Sequence, residues 1–374
     1  GVVGCKDSPG FIANRIGIYW IQTAILEAMN LGLTVEEAGA VGGKPMGIPK
    51  NGVFGFSDLV GIDLMPHLME SLKRTLPAAD AFHAKAIIPP VIGKMIQDGY
   101  TGRKGKGGFY RLNRVGSEKI KESINLQTGE YSKSREGRLD SVANTRKLAD
   151  LVSYKDKGGE YAWKVLAQVL SYAASLVPEI ADDIHSVDTA MRLGYNWKYG
   201  PFELIDQLGA KDFADRLAAE GSIVPALLKL AAEVGSFYRV QDGKLEYLTT
   251  NGQYQTVQRP AGILLLEDIK RTSKSVAKNA SASLWDIGDG VICLEFTSKM
   301  NAMDPLILAM IQQAIGIVSK DYKALVIYNE GSNFSVGANL GLLLFAANIA
   351  SWEQIESMVK GGQDTYKAMK YAPF

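Results

Sequence analysis

One spacing occurs twice in this chain and limits what it can fold into. Gly52, Phe54, Asp58 and Gly61 stand as G-x-F-x3-D-x2-G, and Gly200, Phe202, Asp206 and Gly209 repeat it at a shift of 148. Upstream, Glu27 and Val35 are matched by Glu179 and Val187 at a shift of 152, which fits a four-residue insertion within the first "GGKPMGIPK". The spacing implies two related helical units of about 80–110 residues, each with a one-sided apolar face, stacked so that the faces bury one another. Phe54 and Phe202 are expected in that core. Asp58 and Asp206 are expected to hold turn geometry through local Asx-type bonds.

Around the repeat the chain divides by pattern. Ser8 and Pro9 suit a helix start, and Ile18, Ile21, Ile25 and Met29 recur at helical spacing. The first helical unit is placed at 1–112 and ends in the glycine punctuation of "GYTGRKGKGGFY". A basic connector follows at 113–152, in which "SINLQTGEYSKS" reads as a short hairpin with Thr128-Gly129 near its turn. The second unit is placed at 153–236, with helical patterning from Glu160 to Pro178. Residues 237–281, closing on the polar run "KRTSKSVAKNASAS", read as a linker.

From residue 282 the class changes. "SLWDI", then Gly288-Asp289-Gly290, then "VICLEF" reads as a β-hairpin. Asp304 and Pro305 open a helix with Leu308, Ile311, Ile315 and Val318 on one face. "ALVIY", 324–328, reads as a short buried strand, and a helix begins near Asn339 after the loop "NEGSNFSVGANLG". This is an α/β arrangement over 282–374.

Composition excludes several function classes. A net charge of +1 gives no overall pull towards nucleic acid. Between Thr101 and Lys157, 14 Lys/Arg stand against 7 Asp/Glu, which reads either as a solvated connector or as a basic surface near ligand phosphates. Arg103, Lys104 and Lys106 are its candidates. No run of about 18 apolar residues suggests a membrane span, and the opening "GVVGCKDSPGF" lacks a signal-peptide pattern. Cys5 and Cys293 form no CxxC, so neither a metal site nor a disulfide framework is expected, and a reducing cytoplasm fits. His67, His83 and His185 have no acid at a telling spacing and read as surface or structural.

The loop at 329–341 runs from a strand into a helix, where unpaired N–H groups and the helix dipole favour negative charge. Gly337 allows close backbone approach and Ala338 leaves room. The loop is either a plain βα turn or a set of backbone donors for a carbonyl oxygen. A phosphate loop is excluded because no G-x4-G-K-[ST] is present. A dinucleotide fingerprint is excluded because no G-x-G-x-x-G follows a strand.

"GSNFSVGANL", preceded by "SKMNAMD", resembles the enoyl-CoA hydratase/isomerase (crotonase) family. The resemblance implies that the backbone N–H of Ala338 meets a thioester oxygen. It also implies that Lys299 to Ala302 form a CoA-contacting loop, with Val336 and Gly337 beside the substrate. Asn339 stands where that family has Asp. "KDSPGFIANRI" is similar to the start of the helical C-terminal domain of L-3-hydroxyacyl-CoA dehydrogenases, and the repeated units resemble two copies of it. Asn14 would then lie near the substrate's reacting oxygen and assist a His–Glu pair. The implied fold is a pair of all-α, 6-phosphogluconate-dehydrogenase-C-terminal-like repeats followed by a truncated α/β crotonase-like domain.

The implied function belongs to fatty-acid β-oxidation: hydration of an enoyl-CoA and NAD-dependent oxidation of the 3-hydroxyacyl-CoA. NAD would be held by a Rossmann domain and acyl-CoA would be the substrate, with no metal and with homo-oligomerisation through the helical repeats. Both ends of the chain look cut, and the hydratase carboxylates and the NAD-binding domain are not recognisable, so the chain alone is expected to be inactive. Hydratase and isomerase are not distinguished. The rival reading is a non-catalytic dimerisation or scaffold module.

Overall fold

The structure, a computed structural model, describes residues 1–331 and 333–374, and of Val115 the backbone alone. Ser332, inside the glycine-rich loop, lies outside the described residues. The chain forms two compact units: residues 1–239 with 246–257, and residues 240–245 with 258–374.

The first unit is built around α1 (Ala13–Asn30) and α8 (Lys157–Ser175). A single apolar stripe was expected on α1. Instead Ile16, Tyr19, Trp20, Ile21, Ile25 and Ala28 are all buried, so the helix is enclosed on every side. Ser8 does not cap it. Gly10 and Phe11 both take positive φ, at 79° and 51°, and break the chain before Ala13. The rest of the first half runs α2 (Val35–Val41), α3 (Gly52–Val60), α4 (Leu64–Thr75) and α5 (Pro90–Gln97). A full capping box between Thr34 and Glu37 starts α2.

An antiparallel sheet of β1 (Tyr110–Val115), β2 (Glu118–Ile124) and β3 (Tyr131–Lys133) follows, with the expected hairpin turn between β2 and β3. Then come α6 (Asp140–Asn144) and α7 (Leu148–Ser153). After α8 the second half continues with α9 (Ile184–Tyr195), α10 (Pro201–Leu208), α11 (Ala210–Ala219) and α12 (Ala226–Val234). A sheet of β4 (Tyr238–Gln241), β5 (Lys244–Leu248) and β6 (Tyr254–Thr256) follows in the chain.

The repeated spacing has one job in both places. Asp58 accepts the N–H groups of Phe109 and Tyr110, 2.7 and 2.9 Å away and 51 residues on in the chain. Asp206 accepts those of Phe237 and Tyr238, at 2.7 and 2.8 Å and 31 residues on. The rings of Phe54 and Phe109 meet edge to face at 4.7 Å, and those of Phe202 and Phe237 at 4.8 Å. Each aspartate therefore fastens a helix to the first strand of the sheet that follows it. The bond is long-range, not a local Asx turn. The two phenylalanines are fully buried, as expected.

The other matched pair ties the halves together crosswise. Glu27 accepts from Gln168 of α8 at 2.8 Å, and Glu179 accepts from Arg15 of α1 at 3.1 Å.

In the second unit, α13 (Leu266–Thr272) precedes β7 (Ala277–Lys278), β8 (Ala282–Asp286) and β9 (Val291–Phe296). Strands and helices thus occupy much of the 237–281 stretch read as linker. After β9 come α14 (Pro305–Asp321), β10 (Ala324–Ile327), α15 (Leu340–Asn348) and α16 (Trp352–Lys370). The sheet order is β10-β9-β8-β7, with β10 parallel to β9 across the α14 crossover and the other pairs antiparallel.

Asp304 caps α14 by accepting from the Ile307 N–H at 2.9 Å. Ile307, Met310, Ile311, Ala314 and Val318 of α14 pack on the sheet, while Leu308 and Ile315 flank that core only partly buried. The strand at 324–327 was expected to be buried but lies at the sheet edge, with Val326 42% exposed. Several large apolar side chains of α15 and the start of α16 are open: Leu340, Leu344, Phe345 and Trp352 are each more than 60% exposed, at 71%, 63%, 64% and 66%.

Candidate functional site

Of the residues that the sequence singled out, Asn14 lines a cavity in the first unit, and Gly337 and Ala338 line one in the second. In the first unit, Asn14 sits in the first turn of α1 beside a cavity of about 280 Å³. Ile18, Phe56, Val60, Leu64 and Met65 give it an apolar wall. Asn14 Oδ1 accepts the hydroxyl of Tyr195, the last residue of α9, at 3.2 Å. Among the described residues the Asn14 amide nitrogen has no acceptor. Burial pushes the Tyr195 hydroxyl up to about 12, so it remains a donor through the neutral range.

The start of α1 is held by a group that the sequence reading did not pick out. Arg15 is fully buried, donates to Tyr172 at 2.5 Å and Glu179 at 3.1 Å, and forms an ion pair with Asp80. Tyr172 in turn donates to Asp80 at 2.9 Å and stacks on Tyr19 at 4.1 Å. Tyr172, Glu179 and Asp80 lie far from Arg15 in sequence, so no spacing could have signalled this cluster.

In the second unit, Met303 and Ala338 form an isolated parallel bridge. The Met303 N–H donates to Gly337 O at 2.8 Å, and the Asn339 N–H donates to Met303 O at 3.0 Å. That pattern uses the amides on either side of the bridge. The Ala338 N–H has no acceptor among the described residues, and Gly337, Ala338 and Asn339 line a cavity of about 700 Å³. Gly337 has φ 87°, a conformation that costs glycine little and other residues more. Asn339 caps α15 through Gly341 N at 3.2 Å.

The turn at Lys299–Asn301 is joined to the same loop. Asn301 Nδ2 donates to Asn333 O at 2.8 Å, and Ser335 Oγ donates to Asn301 O at 2.6 Å. Lys299 and Val336 are exposed and Ala302 is half-buried. The structure therefore brings Lys299, Ala302, Val336, Gly337 and Ala338 into one neighbourhood, while Asn14 belongs to the other unit. Asp304 is the one carboxylate among the described lining residues of the larger cavity. It is already engaged by Ile307 N and by Ser281 Oγ, the latter at 2.6 Å.

Lys104 pairs with Asp63 at 2.8 Å and Lys106 donates to Asp98 O at 2.8 Å, so both cations already have partners. His83 meets Pro77 O at 3.0 Å, His67 is exposed, and the His185 ring packs edge-on to Tyr238. Cys5 and Cys293 are free thiols. Among the described residues no cluster of three or more His, Cys, Asp or Glu could hold a metal ion, and no helix is long and apolar enough to cross a membrane.

Known relatives align over essentially the whole chain, and one family matches within the first unit. A 34% identical relative is the "Probable 3-hydroxyacyl-CoA dehydrogenase" of Bacillus subtilis (strain 168), aligned over 100% of this chain and 47% of that protein. A Rickettsia felis protein, provisionally named fatty acid oxidation complex trifunctional enzyme, is also 34% identical, over 99% of this chain and 48% of its own length. The chain thus spans about half the length of these relatives. A crystal structure of 3-hydroxybutyryl-CoA dehydrogenase from Escherichia coli K12 aligns over 62% of this chain and 61% of that one, at 19% identity and a TM-score of 0.41. Residues 10–112 and 159–222, which between them carry Asn14, Tyr195 and both copies of the repeated spacing, match the C-terminal domain of the 3-hydroxyacyl-CoA dehydrogenase family.

Proposed function

We propose that this chain supplies the helical portion of an NAD-dependent 3-hydroxyacyl-CoA dehydrogenase of fatty-acid oxidation, present as two copies, together with part of an enoyl-CoA hydratase/isomerase site. The observation that carries the dehydrogenase reading is Asn14, whose amide nitrogen is unengaged among the described residues at the mouth of a largely apolar cavity. An amide donor at an apolar wall suits the oxygen of a 3-hydroxyacyl thioester, with the acyl carbons against Ile18 and Phe56. The duplication is supported by the matching clasps of Asp58 and Asp206.

The residues present do not fit NAD. No G-x-G-x-x-G follows a strand, and the described residues lining the cavity beside Asn14 include no His and no Glu. On this reading the 374 residues alone do not carry out the NAD-dependent step.

For the second site, the unengaged Ala338 N–H at a large cavity suits a thioester oxygen. A backbone donor there polarises the carbonyl as charge develops on it. Proton handling needs a positioned acid or base, and Asp304, the one carboxylate among the described lining residues, is committed to capping α14. Hydratase and isomerase chemistry are equally compatible with what is present.

The test is NADH production from a 3-hydroxyacyl-CoA by the product of the complete reading frame that encodes this chain. Asn14→Ala should lower kcat by about 100-fold, the scale of losing a positioned donor. NADH production by the purified 374-residue chain, or full activity in Asn14→Ala, would overturn the reading. The rival is a scaffold module, favoured by the open apolar side chains of α15 and α16. Failure of the purified chain to bind any acyl-CoA, combined with firm self-association, would select it.

A further inference from the structure

Asn14 is not left to find its own orientation. A side chain from the other half of the unit reaches it across 181 residues of sequence, as the Tyr195 hydroxyl donates to its Oδ1 at 3.2 Å. An asparagine side chain has one accepting end and one donating end. With the oxygen taken by a tyrosine that stays protonated, the NH2 end is the one left for the cavity that Asn14 and Tyr195 both line.

The place of the tyrosine ring is fixed independently. Gly17 lies about one helical turn beyond Asn14 on α1. A Cβ on Gly17 would come within 2.1 Å of the Tyr195 ring, so the ring lies directly on the helix backbone. Phe56 and Trp20 wall the ring at centroid distances of 5.4 and 6.2 Å. A buried ring held on three sides, with its one polar atom on Asn14, is a rigid support for that amide.

We propose that Tyr195 is a positioning residue for the dehydrogenase reaction: it holds the Asn14 amide with its NH2 turned to the oxygen of a 3-hydroxyacyl thioester, and Gly17 is glycine to admit the ring that does so. The inference rests on Asn14 facing substrate, as argued under Proposed function. It adds that the second half of the unit, which lacks an equivalent asparagine at the shift of the repeat, orients the first half's asparagine through this bond. Residue 166, at a shift of 152 from Asn14, is Leu.

Tyr195→Phe keeps the ring and removes only the hydroxyl. In the product of the complete reading frame it should lower kcat about 10-fold and leave KM within about 2-fold, since a loosened donor is felt mainly in the reacting geometry. On an Asn14→Ala background the same change should cost nothing more, because the tyrosine acts through the asparagine. Gly17→Ala, which displaces the ring, should reproduce the kcat loss. A purely structural tyrosine would lower the thermal midpoint and leave kcat of the folded enzyme untouched.

A second measurement needs no activity. In the 374-residue chain labelled with 15N-asparagine, Tyr195→Phe should shift the Asn14 side-chain amide resonances, and unmoved resonances would overturn the proposal. So would a normal kcat in Tyr195→Phe beside a slow Asn14→Ala, or losses that add in the double variant. A silent Asn14→Ala would instead remove the functional reading on which the proposal stands.

Discussion

Arg15 carries a full positive charge into the core between the two halves of the first unit. It is tolerable there because Asp80, Tyr172 and Glu179 surround it. Such a cluster adds little net stability over an apolar replacement of all its members, but breaking it from one side is costly. Arg15→Met leaves Asp80, which is nearly buried, facing an apolar side chain. It should reduce the unfolding free energy by about 3–5 kcal/mol in urea titration, and a change under about 1 kcal/mol would show that the aspartate is relieved by water instead.

Asp58 and Asp206 make a prediction of opposite character. Burial pushes each carboxyl up to about 6, against the pull of its two backbone N–H groups. A carboxyl whose folded value lies above the unfolded value of about 3.9 holds its proton more tightly when folded. Its stabilising contribution is complete below about pH 4 and is lost as the pH rises through about 6. Stability measured from pH 4 to 6.5 should fall more steeply in the wild type than in an Asp58→Asn, Asp206→Asn double variant. A steeper fall in the variant would contradict this account.

At the scale of elements, the repeated spacing was legible because its residues act within one helix and its cap. What those residues reach was not legible, because their partners lie on strands that the sequence barely signals. β1 and β4 are short and polar, and their anchoring rests on Phe109, Tyr110, Phe237 and Tyr238 packing back on the helices. The connector and linker assignments failed to show these strands for that reason. The proposed site follows the same rule: Asn14 and Ala338 stand in local motifs, whereas Tyr195 and the Arg15 cluster come from remote parts of the chain. Phe202→Ala should cost about 3–5 kcal/mol in the first unit, the range for losing a fully buried aromatic. Asp304→Ala should cost about 1 kcal/mol through loss of the α14 cap. Both can be read from calorimetric transitions, and equal losses would argue against the division of roles between clasp and cap.

For the whole molecule, the division into two compact bodies predicts where a protease cuts. Residues 261–264 are exposed and outside any helix or strand. Brief subtilisin treatment should therefore nick there first and leave a folded piece of the first unit; early cleavage within α1 or α8 would sink that expectation. The clasps that join helix to sheet have a wider implication. They close over 51 residues in one half and 31 in the other, and they reach the same bond lengths and ring geometry. What fixes the ends is a carboxylate and a phenylalanine, not the path between them. The intervening segment can lengthen or shorten with little loop-closure penalty. It is where such a protein can acquire new surface without disturbing either end.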